Sequence, residues 1–297
     1  MATVLKASSD FASTAVVQPA RASQLEADIE TPAESGEPMD FLDMKFSPFS
    51  RSQVVQILAE RPANAPFAYV VTPNVDHIVR IQRRRSDLWP AYRAAWLNLC
   101  DSRIVALLAS FTGRSLSPIP GSDLTADLLS HVVRPDDRIA VVGGAPELID
   151  KVRRDFGLRN LVHHNPPMGF VTDPAALDRA ARFAIDAHAR YTFLAVGSPQ
   201  QEILAYRIAS SREATGIALC IGASLQFLSG EQKRAPRWLQ QLALEWLFRL
   251  ASNPQRLWRR YLFDGPLILP IFNDWRERSD RRRHPRHLSP YHARYRR

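Results

Sequence analysis

With 297 residues, 45% of them hydrophobic and 23% charged, the chain has apolar material for a sizeable core, which excludes a largely unfolded or fibrous protein. A formal net charge of +9 and a pI of about 10.0 favour anionic partners, whether nucleic acid, anionic lipid or a sugar diphosphate, without choosing among them. No run approaches the roughly 20 uninterrupted apolar residues of a transmembrane helix, and the nearest, 262–272, is broken by Asp264, Gly265 and two prolines.

Residues 1–40 are acidic and rich in Ser, Ala and Pro, and Ser8, Ser9 and Asp10 interrupt any signal-peptide apolar region. They read as a disordered N-terminal extension of a cytosolic protein. Within 41–229, six apolar runs end in small or polar residues: 67–71, 97–100, 139–142, 161–163, 191–196 and 217–221. Between them, 76–95, 121–133, 146–156, 174–190 and 200–212 space their apolar residues by three and four, and Pro146 and Pro174 suit helix first turns. This alternation predicts an α/β core, a Rossmann-like parallel sheet flanked by helices. Cys100 and Cys220 lie in strand-like runs without partners at metal-ligand spacing and read as buried, inert thiols.

Beyond Gly222 the chain turns helical, aromatic and arginine-rich, and four of its six tryptophans (Trp238, Trp246, Trp258, Trp275) lie there. Residues 230–275 read as a C-terminal appendage. Leu239, Leu242, Trp246 and Leu250 form an apolar stripe, beside which Arg237, Arg249, Arg256, Arg259 and Arg260 supply cation. Such a stripe suits the interface of a bilayer or packing on the protein's own core. Residues 276–297, with nine arginines against Glu277 and Asp280, read as a basic disordered tail.

Candidate chemistry gathers at the predicted strand ends. Thr72-Pro73-Asn74 closes the first strand and Asp101 the second, where a partly desolvated carboxylate gains basicity; the same position also suits a helix cap. Gly143-Gly144 before Pro146 suits a ribose or diphosphate cradle or a plain tight connection, and lacks the third glycine of a dinucleotide fingerprint. Gly169 and Phe170 repeat the theme, with the Phe170 ring offering a face to a base. His163 and His164 have no third metal ligand and read as structural. Gly197-Ser198-Pro199 then delivers Gln201 and Glu202, whose amide and carboxylate suit sugar hydroxyls or an ordinary helix first turn. Arg234, Arg249, Arg256 and Arg259 can each fork onto a diphosphate.

In this order the motifs resemble the WecG/TagA/CpsF family of bacterial glycosyltransferases, glycosyltransferase family 26, from about residue 43 to 263. Thr72 and Asn74 match its Thr-x-Asn element, Asp101 its strand-end Asp, Gly143 and Gly144 its glycine turn, and Gly197, Pro199, Gln201 and Glu202 its Gly-x-Pro-x-Gln-Glu signature. Arg234-Ala235-Pro236, Glu245-Trp246 with Arg249, and Pro254 with Arg256 match its tail. The resemblance implies an inverting transferase that uses a nucleotide sugar and extends a polyprenyl-diphosphate-linked sugar at the cytoplasmic membrane face. It implies that Asp101 is the base, that Gln201 lines the pocket, and that Arg249, Arg256 and Arg259 close over the site in place of a metal or cofactor. Ser102 and Arg103 depart from the glycine that follows the Asp in many members, which changes backbone freedom there.

The expected reaction moves a hexose, N-acetylmannosamine or its uronic acid from a UDP-sugar to an undecaprenyl-diphosphate-linked sugar for exopolysaccharide or another surface polysaccharide. The expected location is the inner face of the cell membrane, peripherally bound, and self-association into a homo-oligomer is left open. The rival from another class is a basic nucleic-acid-binding α/β protein, but no helix-turn-helix, zinc-finger or RNP-like pattern supports it, so no nucleic-acid partner is expected. A second rival, an NAD-dependent oxidoreductase, lacks its three-glycine fingerprint.

Overall fold

The computed structural model describes residues 37–230, 235, 236, 239 and 244–283, with backbone alone at Arg256 and Arg283; residues 1–36, Arg234, Arg237, Trp238, Leu242 and 284–297 lie outside it. The described chain enters through an antiparallel hairpin, β1 (Met39–Phe41) and β2 (Met44–Phe46). Leu42 and Asp43 between them both take positive φ, 53° and 60°, as a two-residue turn between twisted strands requires. Helix α1 (Arg51–Glu60) follows, started by a reciprocal capping box between Ser50 and Gln53.

All six expected strands form: β3 (Ala68–Val71), β4 (Leu97–Asn98), β5 (Ile139–Val142), β6 (Leu161–His164), β7 (Tyr191–Leu194) and β8 (Ile217–Cys220). They make one parallel sheet in the order β4-β3-β8-β7-β5-β6. Successive side chains leave a strand on opposite faces, and the sheet is buried on both sides. Tyr69, Val71, Val142, Leu194 and Cys220 join one core cluster, while Val70, Val141, Phe193 and Leu219 join the other. This explains why the strands read as unbroken apolar runs and not as alternating ones.

The first cluster is covered by α2 (Val75–Arg83), α3 (Trp89–Arg93), α4 (Arg103–Ser110), α7 (Pro174–Asp186) and α8 (Gln200–Ala209). The second is covered by α1, α5 (Gly121–Asp127), α6 (Pro146–Asp155) and α9 (Ser224–Leu228). The single helix expected over 76–95 is divided. Helix α2 stops at Arg83, a 3-10 turn spans Ser86–Leu88, and α3 starts around Pro90, which has no N–H to continue a ladder. Helix α5 runs on into a π turn, Leu128–Val132. Cys100 and Cys220 are buried free thiols, and burial pushes the Cys100 thiol up to about 12.

The C-terminal region is helical as expected, in α10 (Glu245–Ser252), α11 (Pro254–Arg259), a π turn (Arg260–Asp264), a 3-10 turn (Gly265–Leu267) and α12 (Ile268–Arg283). The composition boundary near 275 is not a structural one. Helix α12 buries Ile268, Ile271, Phe272 and Trp275 in the first core cluster and continues through 276–283, residues assigned to the tail by charge. The Trp275 ring meets Phe41 edge-on at 5.0 Å, and the Arg114 guanidinium lies 4.7 Å from the Trp275 ring centroid.

Candidate active site

The neighbouring strands β5 and β7 send their chains in opposite directions, β5 into α6 on one face of the sheet and β7 into α8 on the other. Such a switch point opens a crevice at the carboxyl ends of the strands, where ligands of open α/β sheets bind. Gly143 and Gly197 line it. Gly143 takes φ +94°, and a Cβ there would stand 2.7 Å from Val196 Cγ1 and 2.9 Å from the Ala195 carbonyl, so only glycine lets the two loops meet. Gly197, at φ +78°, has open space about it and turns the chain into the cis Ser198–Pro199 peptide that starts α8. Gly144 has positive φ as well.

Along the same edge, the Asp101 N–H donates to the Pro73 carbonyl at 3.1 Å, which joins the turn after β4 to the turn after β3. Asn74 caps α2, its Oδ1 accepting from Asp76 and His77 N–H groups at 3.1 and 3.4 Å. Thr72 is buried against Gly121. Helix α4 is capped by Ser102, whose hydroxyl accepts from the Val105 N–H at 3.2 Å. The cap position one residue after the expected base therefore explains the departure from glycine there, and Asp101 stays half-buried beyond the carboxyl end of β4.

Two expected pocket residues lie beneath the site. Gln201 and Glu202 are 3% and 0% exposed. Gln201 Nε2 donates to Glu202 Oε1 at 2.8 Å and its Oε1 accepts the Gly222 N–H at 2.8 Å, so this amide braces the loops after β7 and β8. Burial raises the Glu202 pKa, opposed by the hydrogen bonds of Gln201 and Ser198 and by the Arg80 charge. Phe170 also departs from expectation. Its ring is 3% exposed in the first core cluster and offers no face to a base. Gly169, one residue earlier, stands beyond the carboxyl end of β6 with positive φ. His163 Nε2 bonds the Gly143 carbonyl at 3.1 Å, and His164 stacks near Phe183 at 5.2 Å, structural uses of both rings.

The C-terminal helices bring cation to this edge. Arg249 pairs with Glu245 at 2.7 Å, and its guanidinium lies 5.0 Å from the Phe227 ring centroid. Burial by itself would lower its pKa; Glu245 foremost, then Tyr261 and Asp101, outweigh that and raise it. The Asp101 charge is thus one of those felt at the Arg249 guanidinium. Arg259 is exposed on α11, and Arg256 shares that helix.

A cluster that sequence reasoning missed adjoins the crevice. Arg80 donates to Ser198 Oγ at 2.8 Å and to Asp76, and Arg260 Nε stands 3.7 Å from Asp76 Oδ1. Burial raises the Asp76 pKa, but Arg260 and Arg80 outweigh it and hold the carboxyl below its usual range. Beside it His77 is buried against the Tyr92 hydroxyl at 3.3 Å, and burial, seconded by Arg80, pushes its pKa down to about 3. Asp76 reads in sequence as one residue of a helical pattern; the i, i+4 spacing to Arg80 was the available signal.

Sheet order, switch-point crevice and adjacent arginines define a doubly wound α/β protein suited to an extended anionic ligand. The chain belongs to the WecG/TagA/CpsF glycosyl transferase family, whose sequence model matches residues 39–283, and it is a glycosyltransferase. It is similar to the N-acetylglucosaminyldiphosphoundecaprenol N-acetyl-beta-D-mannosaminyltransferase of Bacillus spizizenii, 28% identical over 231 residues that span 75% of this chain and 84% of that protein.

Proposed function

We propose that the protein transfers an N-acetylmannosamine-type sugar from a UDP-sugar, with inversion, to a sugar carried on undecaprenyl diphosphate. The name of the Bacillus relative supports both the sugar and the acceptor. The observation that carries the reading is Asp101 at the carboxyl end of β4, its charge among those that act on Arg249 of the C-terminal helices. Asp101 takes the proton of the acceptor hydroxyl as its oxygen attacks the anomeric carbon. The bond from that carbon to the diphosphate breaks, and its electron pair leaves with UDP. One carboxylate suffices for a single displacement. Arg249, with Arg256 and Arg259, offsets the charge that grows on the leaving diphosphate. The turns at Gly197 and Gly143 lie three and four strands from β4, about 14 Å and about 19 Å at ordinary strand spacing. That suits them to the nucleoside end of an extended donor.

Among the described residues no helix is long and apolar enough to cross a membrane. Trp258, Leu262, Phe263 and Leu269 are exposed on consecutive C-terminal turns beside arginines. We infer peripheral contact with an anionic bilayer, where the lipid-linked acceptor resides. The test is UDP release from a panel of UDP-sugars with a short polyprenyl-diphosphate-linked N-acetylglucosamine. Acceptor-dependent release with one donor, lost in Asp101→Asn, is expected; release independent of acceptor, or undiminished in the variant, overturns the reading.

A further inference from the structure

Residues 244–264 are held to the sheet domain differently from the helices around them. No side chain of α10 or of the π turn is buried, whereas α12 sinks four large apolar side chains into the core. Charge fastens the π turn: Arg260 faces Asp76 at 3.7 Å, and Asp264 accepts from Arg84 at 2.6 Å. Both partners belong to α2, Asp76 in its first turn and Arg84 at its C-terminal cap.

Asp76 has a second duty. It accepts from Arg80, whose other amino group donates to Ser198 in the turn between β7 and α8. An i, i+4 pair on an exposed helix face contributes little and would carry no further meaning. Here the Arg80 and Asp76 side chains are 20% and 18% exposed, and Arg80 reaches a residue 118 positions away. Arg260 Nε is buried without a hydrogen bond, so the facing carboxylate is what offsets its desolvation. Removing that carboxylate strands a cation on each side.

We propose that Asp76 and Arg80 are positioning residues that couple closure of the 244–264 segment to the shape of the Gly197-Ser198-Pro199 turn. When the segment closes, Arg260 seats on Asp76; Asp76 holds the Arg80 guanidinium, and Arg80 fixes the Ser198 hydroxyl. The segment is then a lid that is shut by charge, and its closure is felt at the far side of the crevice. The catalytic value of the coupling rests on the reading of that turn as part of the donor site. The coupling itself is independent of the ligand.

Hydrogen exchange on the full chain separates the two. Arg260→Gln alters a partly exposed residue of the lid and leaves the core intact. It is expected to raise exchange about threefold or more both in 244–264 and in 195–201, while Arg207→Gln, which breaks a surface pair with Asp178, changes neither. Arg260→Lys restores protection, and Arg260→Gln combined with Asp76→Asn exposes the lid no further than the more disruptive single change. Unaltered exchange at 195–201 in Arg260→Gln, or additive effects in the double variant, overturns the coupling. In turnover, Arg260→Gln is expected to raise the KM for the UDP-sugar more than it lowers kcat. Raised exchange in both segments with turnover and KM unchanged would leave the coupling standing and remove the turn from the donor site.

Discussion

The Gln201 side-chain amide accepts the Gly222 backbone N–H at 2.8 Å and donates to Glu202 at 2.8 Å, so one buried group joins the turn after β7 to the turn after β8. Truncation leaves a partly buried N–H and a buried carboxyl without this partner. Gln201→Ala should therefore destabilise the fold by about 1–3 kcal/mol, read by denaturant unfolding, and should lower turnover by loosening the crevice. A variant of wild-type stability would show that the brace is dispensable.

Asp101 and Ser102 separate chemistry from folding at adjacent positions. Ser102→Ala removes the α4 cap and should cost about 1 kcal/mol of stability with turnover retained. Asp101→Asn should abolish turnover while UDP still binds and the melting temperature stays within a few degrees. The reverse pattern would make Asp101 the structural residue of the two.

Glu202 gives a pH signature. Its folded pKa is raised by burial, so the native state holds a proton that the unfolded chain gives up, and its contribution is fully present below the unfolded value near 4.5 and lost as pH rises through the folded one. Glu202→Gln keeps shape and removes the titration. The variant should match wild type at pH 4 and exceed it in stability at pH 8, measured by chemical denaturation. An equal stability difference at both pH values would rule out this origin.

Trp275 tests whether α12 is part of the core. Trp275→Ala should cost about 3–5 kcal/mol, since it empties a fully packed site between Phe41, Phe272 and Arg114. A loss under 1 kcal/mol in thermal unfolding would restore the picture of a detachable appendage. By the same logic, truncation after residue 267 should yield an unstable protein and not a working core.

Trp258 and Phe263 pack edge-to-face at 5.5 Å while 47% and 62% exposed. Trp258→Ser with Phe263→Ser should weaken co-sedimentation with anionic vesicles about tenfold and leave thermal stability unchanged. Undiminished vesicle binding would move the membrane contact elsewhere.

The strands at 139–142 and 191–194 and the helix starts at Pro146 and Pro174 were legible because they rest on local periodicity and on the missing N–H of proline. The capping box Ser50-x-x-Gln53 that starts α1 was a local signal of the same kind, and it went unread. Phe170 and Glu202 were misjudged for one reason. A residue type shows what a side chain can bind, and only packing shows whether it faces the crevice or the core.

By itself the sequence determined the α/β alternation, the order of motifs at the strand ends and the family, all properties of residues near one another along the chain. The tertiary structure decided that α12 belongs to the core, that Ser102 and not Asp101 caps α4, and that Arg260, Asp76, Arg80 and Ser198 form one line. Those outcomes depend on which strands become neighbours. Periodicity of a few residues carries no information about a pairing such as Arg80 with Ser198, 118 positions apart.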